Sequence, residues 1–160
     1  MGLMTTVRVI LLCGFLAGLP IFVSAGEDLG SDQVALLQDS GGWEYLSMDD
    51  RQNGFPTEHT CFDGQPHPDA CSGTLTLSAN QTFVQKVVIN HQSVARRGTY
   101  QLDGNQLAFF DEFGTRDGPY SIDIDTQSKS MKMDMPQIKV KLMLYKEYRK
   151  QLEARQRQKK

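Results

Sequence analysis

The segment Ser130-Met131-Lys132-Met133-Asp134-Met135-Pro136-Gln137-Ile138-Lys139-Val140-Lys141-Leu142 alternates apolar and polar side chains until a proline interrupts it. A period of two is typical of β-strands that bury one face. The segment therefore predicts two adjacent strands, at 131–135 and 138–146, whose methionine and aliphatic side chains share one interior.

The same alternation recurs upstream of this segment. It predicts six further strands, at 43–48, 73–79, 82–90, 96–102, 105–110 and 119–125. Asn80-Gln81 and Asp103-Gly104 are typical of tight hairpin turns. Closing eight successive strands removes the exposed sheet edges, and the interior is then just wide enough for side chains or one small ligand. We predict an all-β, eight-stranded antiparallel up-and-down barrel, with a two-sheet sandwich as the alternative.

Helical segments are predicted at both ends of the barrel. The first covers 29–38, where Ser31 or Asp32 can cap it and Gly41-Gly42 follows it. The second is the tail, 146–160, with seven Lys and Arg against two Asp and Glu, whereas 26–145 has nine against 17. We expect a solvated basic helix there, with a weak membrane or cell-wall contact as the alternative. Nucleic acid is not an expected partner, because no aromatic stacking pattern accompanies the charge.

The amino-terminal 25 residues predict a cleavable secretory signal. Arg8 precedes an apolar run at 9–23, and Ser24-Ala25 supplies the small residues of a cleavage site. A transmembrane helix needs about 20 apolar residues, and this run is shorter. The predicted organisation is a signal peptide at 1–25, a barrel domain at 26–145 and the tail at 146–160, in a secreted or periplasmic monomer.

Two cysteines remain after the signal is removed. In an oxidising compartment, Cys61 and Cys71 predict a disulfide. The bridge would hold the long polar connection at 49–72, which is either a functional loop or contains a short element of its own.

Several motifs resemble the strand sequences of small exported bacterial lipocalin-like proteins. They are Gly42-Trp43-Glu44, the segments at 73–77 and 80–83, Gly98-Thr99-Tyr100 with 103–107, and the segment at 118–122. The resemblance covers about 37–145. It implies a calycin-type barrel with an apolar pocket, and it carries over no catalytic residue.

No pattern of catalytic residues accompanies these strands. The sequence has no nucleophile elbow and no phosphate-binding loop. His59, His67 and His91 lack a recognisable ligand spacing, so they are expected to be solvated loop residues. We therefore predict that the protein is not an enzyme, and we expect no metal and no cofactor.

The predicted function is binding, either of a small apolar ligand in the barrel or of an exported protein partner at the loops. The candidate lining side chains, which are either ligand contacts or simple core, are Tyr45, Phe83, Tyr100, Phe109, Tyr120, Met131 and Met133. The second hypothesis is an inhibitor of a secreted hydrolase that uses the 49–72 loop. The third is a periplasmic Cu(I) carrier, since thioethers suit Cu(I); however, Met131 and Met135 would lie roughly 13 Å apart along one strand.

Overall fold

The computed structural model describes residues 28–50, 57–60, 71–89, 92–136 and 138–158. The predicted signal peptide, Cys61, His67 and His91 lie outside the described residues. The helices and strands are, in chain order, α1 (Ser31–Leu37), β1 (Trp43–Asp50), β2 (Thr57–Thr60), β3 (Cys71–Leu77), β4 (Thr82–Ile89), β5 (Gln92–Asp103), β6 (Gln106–Asp111), β7 (Arg116–Asp125), β8 (Ser130–Asp134), β9 (Ile138–Leu144) and α2 (Tyr145–Gln158).

Pairing of the first long strand with the last one closes the sheet. Strands β1 and β3 to β9 form an antiparallel sequence of neighbours, and β1 also pairs with β9 along its length. Trp43, for example, is opposite Leu75 of β3 and Leu144 of β9. The prediction of a closed, eight-stranded, up-and-down barrel is confirmed, and the sandwich alternative was wrong.

Alternation along the strands fills the interior with apolar side chains. In the closing hairpin, Met131 lies opposite Leu142 and Met133 opposite Val140, and all four are buried. The core extends through every strand of the barrel. Its buried members are Leu37, Trp43, Tyr45, Met48, Cys71, Leu75, Leu77, Phe83, Val87, Tyr100, Leu107, Phe109, Ile122, Ile124, Met131, Met133, Val140, Leu142 and Leu144.

A β-bulge changes which residues of β1 face inward. Tyr45 pairs with Leu142, and Ser47 pairs with the next residue back along β9, Lys141, so Leu46 has no partner on that strand. An extra residue shifts the side-chain alternation by one. Trp43 and Tyr45 are buried before the bulge, and Met48 is buried after it.

Helix α1 covers one end of the barrel. It begins after Gly30, so the predicted cap at Ser31 or Asp32 was wrong: the Gly30 N–H donates to Gln33 Oε1 at 2.9 Å. Gln33 Nε2 donates to the Ile124 carbonyl at 2.8 Å, and Trp43 Nε1 donates to the Leu37 carbonyl at 3.0 Å. These bonds satisfy polar groups at the barrel end, which we call the closed end.

The long connection at 49–72 contains a short strand that sequence patterning did not identify. Strand β2 pairs with the second half of β1, with Ser47 opposite Thr60, beyond the point where β3 pairs with β1. The expectation that this connection holds an element of its own is therefore confirmed.

The tail also has the predicted secondary structure. It forms α2, a helix that follows β9 directly and none of whose described residues is fully buried.

Gly98 should be the least replaceable glycine of the barrel wall. It faces the interior between Phe83 and Asp111, and a Cβ there would overlap the Phe110 carbonyl oxygen. Because backbone would have to move, Gly98→Ala should lower the free energy of unfolding by about 3 kcal/mol. Urea denaturation measures this loss. In the control, Gly30→Ala, the Cβ would meet only Gln33 Oε1 at 3.7 Å, and the loss should stay below about 1 kcal/mol. Equal losses would contradict the steric explanation.

Candidate functional site

A groove lies at the end of the barrel opposite α1, which we call the open end. Strand β5 pairs with β6 only as far as Gly98 opposite Asp111, whereas β5 and β4 continue together to Gln92 and Ile89. The β4–β5 hairpin therefore projects past the β6–β7 turn. The groove between them has a volume of about 550 Å³ and is lined by Val84, Gln85, Lys86, Ala95, Arg96, Arg97, Asp111, Glu112 and Phe113.

Arg96 is a charged side chain that faces the interior of the barrel. It lies two residues before Gly98 and four before Tyr100, on the same face of β5 as the buried Tyr100 ring. Its Nη1 donates to Asp117 Oδ2 on β7 at 2.6 Å, and the side chains are 31% and 29% exposed. A short, partly desolvated pair of this kind is stronger than a surface ion pair.

Tyr120 holds the second oxygen of the same carboxylate. Its hydroxyl donates to Asp117 Oδ1. Burial, followed by the hydrogen bond to Asp117 and its negative charge, raises the pKa of Tyr120 to about 12. Asp117 is therefore held from both sides. A guanidinium has five N–H donors, and the described hydrogen bond of Arg96 to Asp117 uses one of them.

A second polar pair lies beside Arg96. Gln85 Nε2 donates to the Tyr45 hydroxyl at 2.6 Å. Burial raises the pKa of Tyr45 to about 12, against the opposing effects of the Gln85 hydrogen bond and the Arg96 charge. Because Gln85 lines the groove and is directly opposite Arg96 on β5, the two pairs form one polar surface at the open end.

The turn beside the groove is held by a carboxylate. Asp111 Oδ1 accepts hydrogen bonds from the backbone N–H groups of Phe113 and Thr115 at 2.9 and 2.8 Å. These bonds, that of Thr115 most strongly, lower the pKa of Asp111. The turn presents Phe113 to solvent with 85% of its surface exposed.

The predicted lining residues lie mainly in the packed core. Phe83 and Phe109 meet edge to face with ring centroids 4.9 Å apart, and Tyr100 is buried next to them on β5. Tyr45 and Tyr120 also reach the polar surface of the open end through their hydroxyls. Their role as ligand contacts stays a prediction.

The methionines that suggested Cu(I) are buried among aliphatic side chains. Met131 and Met133 are completely buried, and Met135 packs against the same core. Within the described ranges, no group of three or more His, Cys, Asp or Glu side chains is placed to hold a metal ion. Cu(I) transport stays a prediction.

Sequence reasoning missed Arg96 and Asp117 as site residues. The spacing of Arg96, Gly98 and Tyr100 by two indicated that Arg96 shares the inward face of β5. Asp117 carried no such signal, because a bulge in β7 places Leu107 opposite Tyr120 and Phe109 opposite Asp117.

The chain is thus a closed eight-stranded β-barrel with a polar groove at one end, which is consistent with the lipocalin-like fold that the motifs implied. No family model, curated protein or solved structure matches the sequence. Among the described residues, neither helix has the length and apolar character that crossing a membrane requires.

Changing Met131 and Met133 separates core packing from copper binding. Met→Leu conserves volume, so each change should alter the free energy of unfolding by less than about 1.5 kcal/mol. Met133→Ala should cost about 2–5 kcal/mol because it leaves a cavity. Thermal unfolding with and without Cu(I) under reducing conditions tests this. A Cu(I)-dependent gain in stability that the double leucine variant loses would establish a metal site instead.

Tyr45 should make stability fall in alkaline solution. Between its ordinary pKa of about 10 and its folded pKa of about 12, an unfolded chain loses the Tyr45 proton that the folded chain keeps. The unfolded state then binds fewer protons, so the free energy of unfolding decreases as pH rises. Urea denaturation across this range should show a shallower decrease for Tyr45→Phe, with Tyr120 still contributing. Tyr145→Phe, at an exposed position, is the control, and an unchanged slope in Tyr45→Phe would contradict the assignment.

Proposed function

We propose that the protein is an exported, non-enzymatic, lipocalin-like binding protein that takes a small amphiphilic molecule into the groove at its open end. The observation that carries this proposal is Arg96, an inward-facing guanidinium that is held by Asp117 and lines a groove of about 550 Å³. Ligand pockets commonly have volumes of about 300–1,000 Å³ and combine apolar walls with a few placed polar groups.

The walls of the groove supply both kinds of contact. Gln85, Arg96 and Asp111 offer hydrogen-bonding groups and Phe113 offers apolar surface, while Val84 and Ala95 lie on the outer side of the β4–β5 hairpin. This combination favours a ligand with a polar head at Arg96 and an apolar body along the β4–β5 hairpin. A wholly apolar ligand in the centre of the barrel is less favoured, because the side chains there pack against one another.

The register of β1 supports the proposed disulfide of an exported protein. Strand β2 ends at Thr60, opposite Ser47. Strand β3 begins at Cys71, four residues before Leu75, which is opposite Trp43. Strand β3 first pairs with β1 at Thr74, opposite Glu44, so the chain leaves β1 and returns to it three residues apart on that strand. A Cys61–Cys71 bridge would close the intervening loop there and stabilise the protein by about 2–4 kcal/mol.

A protein partner at the open end is the second candidate function. Phe113 is held outward by the Asp111 turn, and Val94 on the neighbouring hairpin is 52% exposed. Exposed large apolar side chains beside a groove are typical of interaction surfaces. The proposed inhibitor role of the 49–72 loop belongs to this class, since a loop held by a disulfide loses less entropy on binding.

Replacing Arg96 tests the small-ligand proposal. Binding of the anionic amphiphile 8-anilinonaphthalene-1-sulfonate, measured by its fluorescence, should weaken about tenfold or more in Arg96→Gln, because a charge-assisted hydrogen bond is lost. Arg96→Lys should keep part of the affinity. Arg116→Gln removes the same charge from an exposed position of β7 outside the groove, and it should bind as the wild type does.

Thermal unfolding of each variant shows whether the fold is retained. Unchanged binding in a folded Arg96→Gln variant would refute the small-ligand proposal. Capture of a protein partner that depends on Phe113 would instead favour the second candidate function.

A further inference from the structure

A basic surface lies on the outer wall of the barrel, away from the groove. We propose that this surface, formed by α2 together with lysines of β8 and β9, docks the protein onto a membrane rich in anionic phospholipids. The argument begins with the position of α2, which follows β9 directly at the closed end, where the Tyr145 N–H donates to the Gly42 carbonyl at 3.0 Å.

Helix α2 lies against the outside of β9 and β1. Met143 and Glu44 are paired residues on the outer face of these strands, yet Met143 is buried and burial raises the pKa of Glu44. Tyr148 of α2 is partly buried, and the negative charge of Glu44 contributes to raising its pKa. The helix therefore covers the Met143–Glu44 row with one face and leaves the other in solvent.

The exposed face of α2 is strongly basic. The exposed cations on the side away from Tyr148 are Lys146, Arg149, Lys150 and Arg157, and the exposed Glu153 lies among them. Among the described ion pairs, Lys146 lies 3.6 Å from Asp39 and Lys150 lies 3.9 Å from Glu147. Each of these two pairs is too long and too exposed to remove the attraction of the helix for an anionic surface.

Lysines of the barrel wall continue this surface. Lys132 and Lys141 are directly opposite each other on the outer face, two residues along their strands from Ser130 and Met143, which is about 7 Å. Like charges in this position repel each other, so the placement of Lys132 opposite Lys141 does not stabilise the fold. At the closed end of the same two strands, the exposed Lys129 accepts the Leu144 N–H through its carbonyl. Lys129 and Lys132 are distant from the tail in the sequence, and the barrel places them on the same wall as Lys141.

The wall also has acidic neighbours, which limit the surface. Lys132 lies 4.0 Å from Asp123, and Lys139 lies 3.6 Å from Asp134. Lys141 has no described ion pair. The basic surface is therefore Lys129, Lys132, Lys141 and the exposed cations of α2.

A lipid surface fits this geometry better than an inserted or stacked partner. The exposed face of α2 carries few apolar side chains, so it suits electrostatic attachment rather than insertion. Clusters of four to eight Lys and Arg on a helix are attracted to anionic headgroups, with about a fivefold gain in affinity for each cation near the surface.

Vesicle sedimentation of the purified protein tests the proposal. The protein should sediment with vesicles of three parts phosphatidylcholine to one part phosphatidylglycerol, and not with phosphatidylcholine alone. Raising the salt to about 1 M, where the screening length is about 3 Å, should release it. Lys141→Gln should weaken binding about fivefold and Arg149→Gln combined with Lys150→Gln about 25-fold, while Arg116→Gln on the other wall should bind as the wild type does.

Stability measurements separate lost binding from lost folding. Lys141→Gln removes repulsion from Lys132, so it should leave the melting temperature unchanged or raise it. Equal sedimentation with phosphatidylcholine would overturn the proposal. So would equal losses in Lys141→Gln and Arg116→Gln, or binding to a DNA duplex as tight as to the anionic vesicles. Salt-sensitive self-association without vesicle binding would also overturn it, in favour of a second copy of the chain.

Discussion

Pairing between β1 and β9 is the constraint on which the rest of the structure depends. It joins strands about a hundred residues apart and removes both edges of the sheet, so the alternating side chains of the barrel share one enclosed interior. The bulge at Leu46 is part of this closure, because it lets β1 keep its pairing with β9 while its inward face changes from Tyr45 to Met48. Without that pairing, Trp43 and Leu144 would lie on exposed edges.

Closure also makes the two ends of the barrel different. At one end, the Leu37 side chain of α1 joins the core and the Leu37 carbonyl accepts the Trp43 Nε1–H, so the helix covers that end. At the other end, the β4–β5 hairpin extends past the β6–β7 turn, so inward positions of β5 meet solvent instead of core. Arg96 and Asp117 are stable there because each provides the partner that the other needs. The proposed ligand groove therefore follows from unequal strand lengths in a closed sheet.

Patterning along the chain predicted most of the fold, and its failures have local causes. The Asp103-Gly104 hairpin was predicted because glycine adopts a positive φ without strain. In the structure, Gly104 has a φ of +57°. Strand β2 was missed because four polar residues between long polar segments have no alternation to detect. The cap of α1 was misplaced because Gly30 has no side chain to indicate it; the Gly30 N–H instead donates to Gln33 Oε1.

Patterning along the chain was enough to predict the number of barrel strands, their order and most of the core, since each depends on the period of two within single strands. The sequence by itself determined the charge of the tail. The contact between Arg96 and Asp117 and the position of Lys132 opposite Lys141 follow only from the folded sheet. The physical reason is that these neighbours depend on register and on bulges in β1 and β7, where a shift of one residue moves every side chain to the opposite face.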